Sequence, residues 1–241
     1  MDDKEFDRHI NKIVDELDIK KILERLEVQK NKEVVKEEIE LLDKKDALQS
    51  SLTVSTKTKE AHEQLYKNYV DSYNNTIIEL SSYSIGDDKF KQNSYRGLKV
   101  NESYYHNAVR LHELYFENCF DRKSNITNTS LPYIKLSQDF NSFQQWQRHF
   151  IATGMSAING WVVCGLDIYS QRYVNFLIDS HDGHVMIGVI PILVVDMWNH
   201  SYFLDHLNDK YSYLLSQMKE INWDVVSKRM ERLEKVIEVM K

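Results

Sequence analysis

No glycine or proline occurs in the first 85 residues, and the whole 241-residue chain carries seven glycines and two prolines. Glycine frees the backbone for turns and proline interrupts both helix and sheet. A chain this poor in both cannot supply the punctuation of a β-sandwich or the loop of a glycine-rich phosphate site, so helix must dominate. The hydrophobic set reaches 42% and charged residues 28%, enough apolar surface for a core and too much for a disordered chain.

The breakers that do occur are unevenly placed. Gly160, Gly183, Gly188 and Pro191 fall in one stretch, which also holds the β-like runs 160–164 (Gly-Trp-Val-Val-Cys), 173–178 and 190–195. The first two runs are close enough for an antiparallel hairpin. Helical periodicity covers most of the rest. Thr58 to Leu80 reads as a helix with Ala61, Leu65, Tyr69 and Tyr73 in a stripe, and 81–101 as loop. A second helix follows over 102–120, carrying Val109, Leu111, Leu114, Tyr115 and Phe116. Ser137 to Gly154 reads as one helix with Phe140, Phe143, Trp146 and Phe150, and helix resumes after Trp198. The polar stretch 124–130 before Pro132 is the clearest linker. The expectation is an α+β chain in three parts: an amphipathic helical extension over 1–54, a helical hairpin over 55–123, and a C-terminal domain over 131–241 with a small three-stranded antiparallel sheet flanked by helices. In the extension, Phe6 to Leu17 and Ile22 to Leu42 repeat at helical spacing with a turn near Asn31. Such an arm packs on the body or serves as an oligomerisation or docking arm, and the sequence does not choose.

A net charge of −6 leaves no basic footprint for nucleic acid. The longest apolar run, 185–195, is too short to span a bilayer, and the acidic start MDDKEF is unlike a signal peptide. Two cysteines, Cys119 and Cys164, give no disulfide framework. A soluble, cytoplasmic protein is expected.

Chemistry concentrates where the third apolar run ends. Asp196 leaves a strand-like segment and His200 follows four residues later; a carboxylate so placed needs hydrogen bonds or a cation. On the first helix His62, Tyr66 and Tyr69 share a face, and His112 flanks the stripe of the second. Two antiparallel helices can bring one His each to a common seam. With Asp196 and His200 they form a three-nitrogen, one-oxygen set that suits iron, manganese or zinc.

These residues also sit in a run of motifs. Asp196 to Asp205 resembles the D-x-W-E-H-A-Y-Y-x-D signature of iron/manganese superoxide dismutases. Asp139 to Phe143 resembles that family's F-G-S-F segment, and 159–161 its S-G-W strand start. Ile221–Asn222–Trp223 resembles its V-N-W, while His62 to Val70 and Leu111 to Asn118 resemble its two ligand helices. The resemblance runs in order from about Ser55 to Arg232. It implies dismutation of superoxide at one iron or manganese ion per chain, with His62, His112, Asp196 and His200 as ligands. By the same resemblance Tyr69 and His181 relay protons and tune the centre. Tyr66, Trp161, Trp198 and His184 are the other candidates for its surroundings, and a homo-oligomer is implied.

The family spaces its first ligand and its Tyr-Val pair eight residues apart; here His62 and Tyr69 are seven apart. An ungapped match puts Ala61, which cannot bind metal, at that position. Loss of a π-bulge keeps His62 instead. Both alignments are open from sequence. Asn199, Phe203 and Lys210 replace a Glu, a Tyr and an Arg of the pattern, so a non-standard dimer interface is expected. The alternative reading is a weakened or inactive metal-binding or structural protein on the same fold, working through its N-terminal arm.

Overall fold

The structure, a computed structural model, describes residues 51–82, 91–119 and 125–239. The arm, apart from 51–54, lies outside the described residues. Helix α1 (Thr56–Ser81) opens on Ser55, whose hydroxyl accepts from the Thr58 N–H at 3.3 Å. Its start is held to the body by Asp205, which accepts from Ser55 N at 3.0 Å and Thr58 Oγ1 at 2.6 Å. Just upstream, buried Glu220 accepts from Ser51 Oγ, Leu52 N and Thr53 Oγ1 at 2.7–2.8 Å.

Three expectations are corrected. The buried face of α1 is His62–Tyr66–Val70–Tyr73, one residue round from the stripe drawn through Ala61 and Leu65; Ala61 is exposed. Helix α2 (Gln92–Cys119) starts inside the stretch taken as loop, because its first turns are largely exposed and carry no apolar period to read. The helix expected over 137–154 is two, α3 (Leu131–Phe140) and α4 (Phe143–Ser156). Asn141 takes a left-handed conformation (φ 65°) that ends α3, and the Ser142 hydroxyl accepts from Gln145 N at 3.1 Å to start α4.

The sheet is as read, with β1 (Gly160–Asp167), β2 (Arg172–Asp179) and β3 (Val189–Asp196) antiparallel in the order β2-β1-β3. The central strand β1 is buried on both faces, which is why it reads as an unbroken apolar run. Helices α5 (Asn199–His206), α6 (Lys210–Lys219) and α7 (Trp223–Val239) complete the α+β fold.

Strand β3 is an edge, and helices cover it. Asn118 of α2 stands in for a neighbouring strand: its Nδ2 donates to Val194 O at 2.9 Å, and Val194 N donates to its Oδ1 at 3.3 Å. Arg229 of α7 donates to Ile192 O at 3.0 Å and to Asn118 Oδ1 at 2.8 Å. The outward groups of Val194 and the Ile192 carbonyl are thereby satisfied without a further strand. The same contacts fix α2, which carries His112, against the strand that ends in Asp196.

Candidate metal centre

Asp196 closes β3 opposite Trp161 of β1 and is fully buried. Its Oδ1 accepts from Trp198 N at 2.7 Å, which leaves Oδ2 facing inward. Around Oδ2 stand His62 Nε2 at 3.1 Å, His200 Nε2 at 3.2 Å and His112 Nε2 at 4.0 Å. The α1–α2 hairpin supplies two of these imidazoles, and the first turn of α5 supplies the third. One donor atom from each of the four residues lies within 4.8 Å of every other. Opposed ligands of an ion at about 2.0–2.2 Å stand about 4.0–4.4 Å apart. The set is therefore gathered to near ligand spacing and needs to draw in by tenths of an ångström.

The electrostatics agree with the geometry. Burial lowers the pKa of His62, with Asp196 opposing, and lowers that of His112 well below the ordinary value. Both rings stay neutral. His112 Nδ1 lies 2.6 Å from Ala108 O, so that nitrogen carries the proton and the Nε2 lone pair is free. Burial pushes Asp196 up, but His200 and His62 hold its carboxyl well below the usual range. The Nε2 atoms of His62 and His112 are buried without a hydrogen-bond partner. Orphaned nitrogens beside an anionic oxygen are what a divalent or trivalent cation of borderline softness satisfies. The residues fit such an ion.

Outside the cluster, Trp161 Nε1 donates to His181 Nδ1 at 3.1 Å, and His181 Nε2 lies 3.1 Å from Tyr69 Oη. His181 is fully buried, and burial lowers its pKa to about 4. Burial, then neighbouring Tyr104, raises that of Tyr69. Trp198 stacks on His200 at 5.8 Å between centroids. Tyr66 approaches His112 with its ring, 6.4 Å between centroids, but its hydroxyl donates to Glu113 at 3.0 Å. His184 is not brought to the centre. Its side chain is 69% exposed and lies 3.6 Å from Asp179, because a left-handed φ of 67° at the end of the turn swings it outward.

Of the departures from the family pattern, Ala61 faces away while His62 faces in. Asn199 is exposed and accepts from Tyr202 Oη at 2.8 Å; Phe203 is 46% exposed. Lys210 donates to the carbonyls of Ala157 and Ile158. Two contributors went unread. Tyr104 packs on His181 with centroids 4.9 Å apart, and its one signal is its place two turns before His112. Asn118, the strap on β3, has none beyond being an Asn among apolar residues.

Residues 132–229 match the family described as iron/manganese superoxide dismutases, C-terminal domain. The chain is 35% identical over 206 residues to an iron superoxide dismutase of Aquifex pyrophilus, covering 83% of this chain and 96% of that one. It is 35% identical over 185 residues to the iron enzyme of Aquifex aeolicus, covering 76% and 84%. A manganese superoxide dismutase of Haloferax volcanii is 26% identical over 195 residues, covering 80% and 94%.

Proposed function

The chain belongs to the iron/manganese superoxide dismutase family, and we propose that it converts superoxide to dioxygen and hydrogen peroxide at one iron or manganese ion held by His62, His112, Asp196 and His200. The observation that carries the ligand assignment is the convergence of three imidazoles on one buried carboxylate, two of them with unpartnered Nε2 atoms. Nothing among the described residues favours the alternative of an inactive protein working through its arm.

When bound, iron or manganese supplies a centre that alternates between +3 and +2, taking an electron from one superoxide and returning it to the next. The protein's part is to hold, exclude and protonate. A single carboxylate among the four residues would compensate one unit of the ion's charge and leave the rest, which favours an anionic substrate. Trp161 and Trp198 wall the cluster and limit bulk water. Peroxide formation consumes two protons. Tyr69 remains a phenol because burial raises its pKa, so it holds a proton beside the cluster through neutral pH. His181 stays neutral and ties Tyr69 to the wall.

The same reading divides the chain into an extension over 1–54, a hairpin over 55–123 and an α+β domain over 131–241. It makes the protein a homo-oligomer, a dimer or larger, with an interface that does not use a Glu at 199. It also assigns the chain to the cytoplasm, and two buried free thiols fit a reducing compartment. No helix among the described residues is long and apolar enough to cross a membrane. The test is dismutation by protein carrying a full complement of iron or manganese. Activity well above that of the free ion is expected, and activity no higher than the free ion overturns the proposal.

A further inference from the structure

Helix α5 has eight residues, too few to persist as a helix by itself, so its contacts place it and with it His200. Its start is tied to the strand end: Trp198 N donates to Asp196 Oδ1 at 2.7 Å and Ser201 Oγ to Asp196 O at 3.1 Å. Its last turn is tied to the segment that leads into α1. Asp205 accepts from Ser55 N at 3.0 Å and from Thr58 Oγ1 at 2.6 Å, and His206 Nε2 donates to Thr53 O at 3.2 Å. Thr58 is buried one turn before His62 on the same face of α1. One carboxylate thus joins the turn before His62 to the turn after His200, and those two imidazole rings stand 5.0 Å apart. A second path braces the same segment from behind His62. The Thr53 hydroxyl accepts from Gln217 Nε2 at 2.8 Å, and the fully buried Gln217 accepts from Tyr115 Oη at 3.2 Å. Tyr115 packs on His62 with centroids 5.6 Å apart.

We infer that residues 53–58 form a clamp that sets His62 against His200, with Thr58 and Asp205 as positioning residues for the two imidazoles. Asn118 ties the helix of His112 to the strand that ends in Asp196. The clamp ties the helix of His62 to that of His200, so each ligand of the α1–α2 hairpin has its own tie to the C-terminal half. Neither Thr58 nor Asp205 belongs to the cluster of donor atoms. They act by limiting how far α1 and α5 can slide past one another. A ligand set held close to its bound spacing pays little ordering cost when the ion enters, and a looser set pays more. The inference rests on the metal-centre reading, because what the clamp holds is a ligand set only if an ion binds there.

The test titrates manganese(II) into the metal-free full-length chain at neutral pH, with free ion read by electron paramagnetic resonance. The temperature is one at which circular dichroism shows every variant folded. Thr58→Val keeps the shape of the side chain and removes the donor; Asp205→Ala removes the acceptor from an exposed position. Each should raise the dissociation constant roughly 2- to 10-fold, the effect of losing one hydrogen bond that reaches the centre. Thr58→Ser, which keeps the hydroxyl, should restore wild-type binding. Ser142→Ala removes one hydrogen bond at the start of α4, outside the clamp. It should lower the urea midpoint and leave the dissociation constant unchanged. Unchanged binding in Thr58→Val and Asp205→Ala overturns the inference. So does equal weakening by Ser142→Ala, which would make the effect one of general stability, or failure of Thr58→Ser to restore binding. If Thr58→Val does not fold, Asp205→Ala decides. A wild-type chain that binds neither manganese nor iron overturns the metal-centre reading and the inference with it, whereas wild-type binding that no clamp variant weakens overturns the clamp alone.

Discussion

Replacing Asn118 by alanine tests whether the centre depends on how the sheet's edge is covered. Val194 lies opposite Val163 in the β1–β3 ladder, and both of its backbone groups turn outward to Asn118. Alanine leaves that N–H without a partner in a buried place, and leaves the C=O only the weak Cys119 Sγ donor at 3.7 Å. An unsatisfied buried group costs about 1–3 kcal/mol, so the loss should be at least about 1–3 kcal/mol, with a smaller addition from the carbonyl. Arg229 also loses one acceptor but keeps Ile192 O and Glu117, so it adds little. Urea unfolding of the metal-free proteins measures this directly, since bound ion would add its own stabilisation. The midpoint should fall at unchanged slope. A second reading comes from the centre, because Val194 is two residues before Asp196 and Asn118 is six after His112 on the same helix. Loosening that strap lets the carboxylate and the imidazole drift apart, so Asn118→Ala should also retain less iron or manganese on dialysis. A loss below about 1 kcal/mol, with full metal retention, would refute the idea that a side-chain amide replaces a strand here.

Three further outcomes are expected. His62→Ala should lose metal on purification and dismutation with it, while Ala61→Ser at an exposed position should change neither, as elemental analysis would show. Hydrogen bonds from Thr58 and Ser55 outweigh burial to hold Asp205 below its ordinary pKa of 3.8, so its contribution is present above that value and lost as pH falls through the folded pKa. Wild type and Asp205→Asn should thus differ in urea midpoint near neutral pH and converge in acid. His112→Leu removes a buried unpartnered nitrogen, so without metal it should be more stable than wild type by about 1–3 kcal/mol, while added metal should no longer stabilise it.

The strands and the four converging residues were legible because each carries a local signal. An apolar run marks a buried strand, and the ordered motifs from His62 to Trp223 mark the candidate ligand positions. What was not legible depends on contacts distant in sequence. The phase of α1 was misread because tyrosines occur on two adjacent faces, at 66, 69 and 73, and burial against α2 selects His62 and Tyr66 over Ala61 and Leu65. The first turns of α2 gave no period because they bury almost nothing. The break at Asn141 was hidden because Phe140, Phe143 and Trp146 keep an apolar rhythm across it. Their rings serve one core from two helices, with Phe143 and Trp146 both packed on Trp223. His184 failed for a related reason: three residues from His181 in sequence, it is separated from it by a turn whose backbone reverses the side chain.

The substitutions that set this chain apart from the family pattern do not fall on the centre, and the reason lies in α5. Asp196 and His200 approach the cluster from the strand end and the inner side of the helix's first turn. Asn199 precedes His200 by one residue and Phe203 follows it by three. Asn199 is exposed and bonded within its own helix to Tyr202, and Phe203 keeps nearly half its surface open. Lys210, at the start of α6, is spent on the carbonyls that follow α4, where it anchors a loop rather than facing the ligands. Each change alters what the outer surface can bind without altering the atoms around Asp196 Oδ2. A protein that had abandoned its metal would be under no constraint to keep three imidazoles and a carboxylate together in an interior where, without an ion, two of their nitrogens go unpaired. That cost, retained while the surface changed, is the physical argument that the centre is held by a constraint of its own, separate from whatever allowed the surface to change.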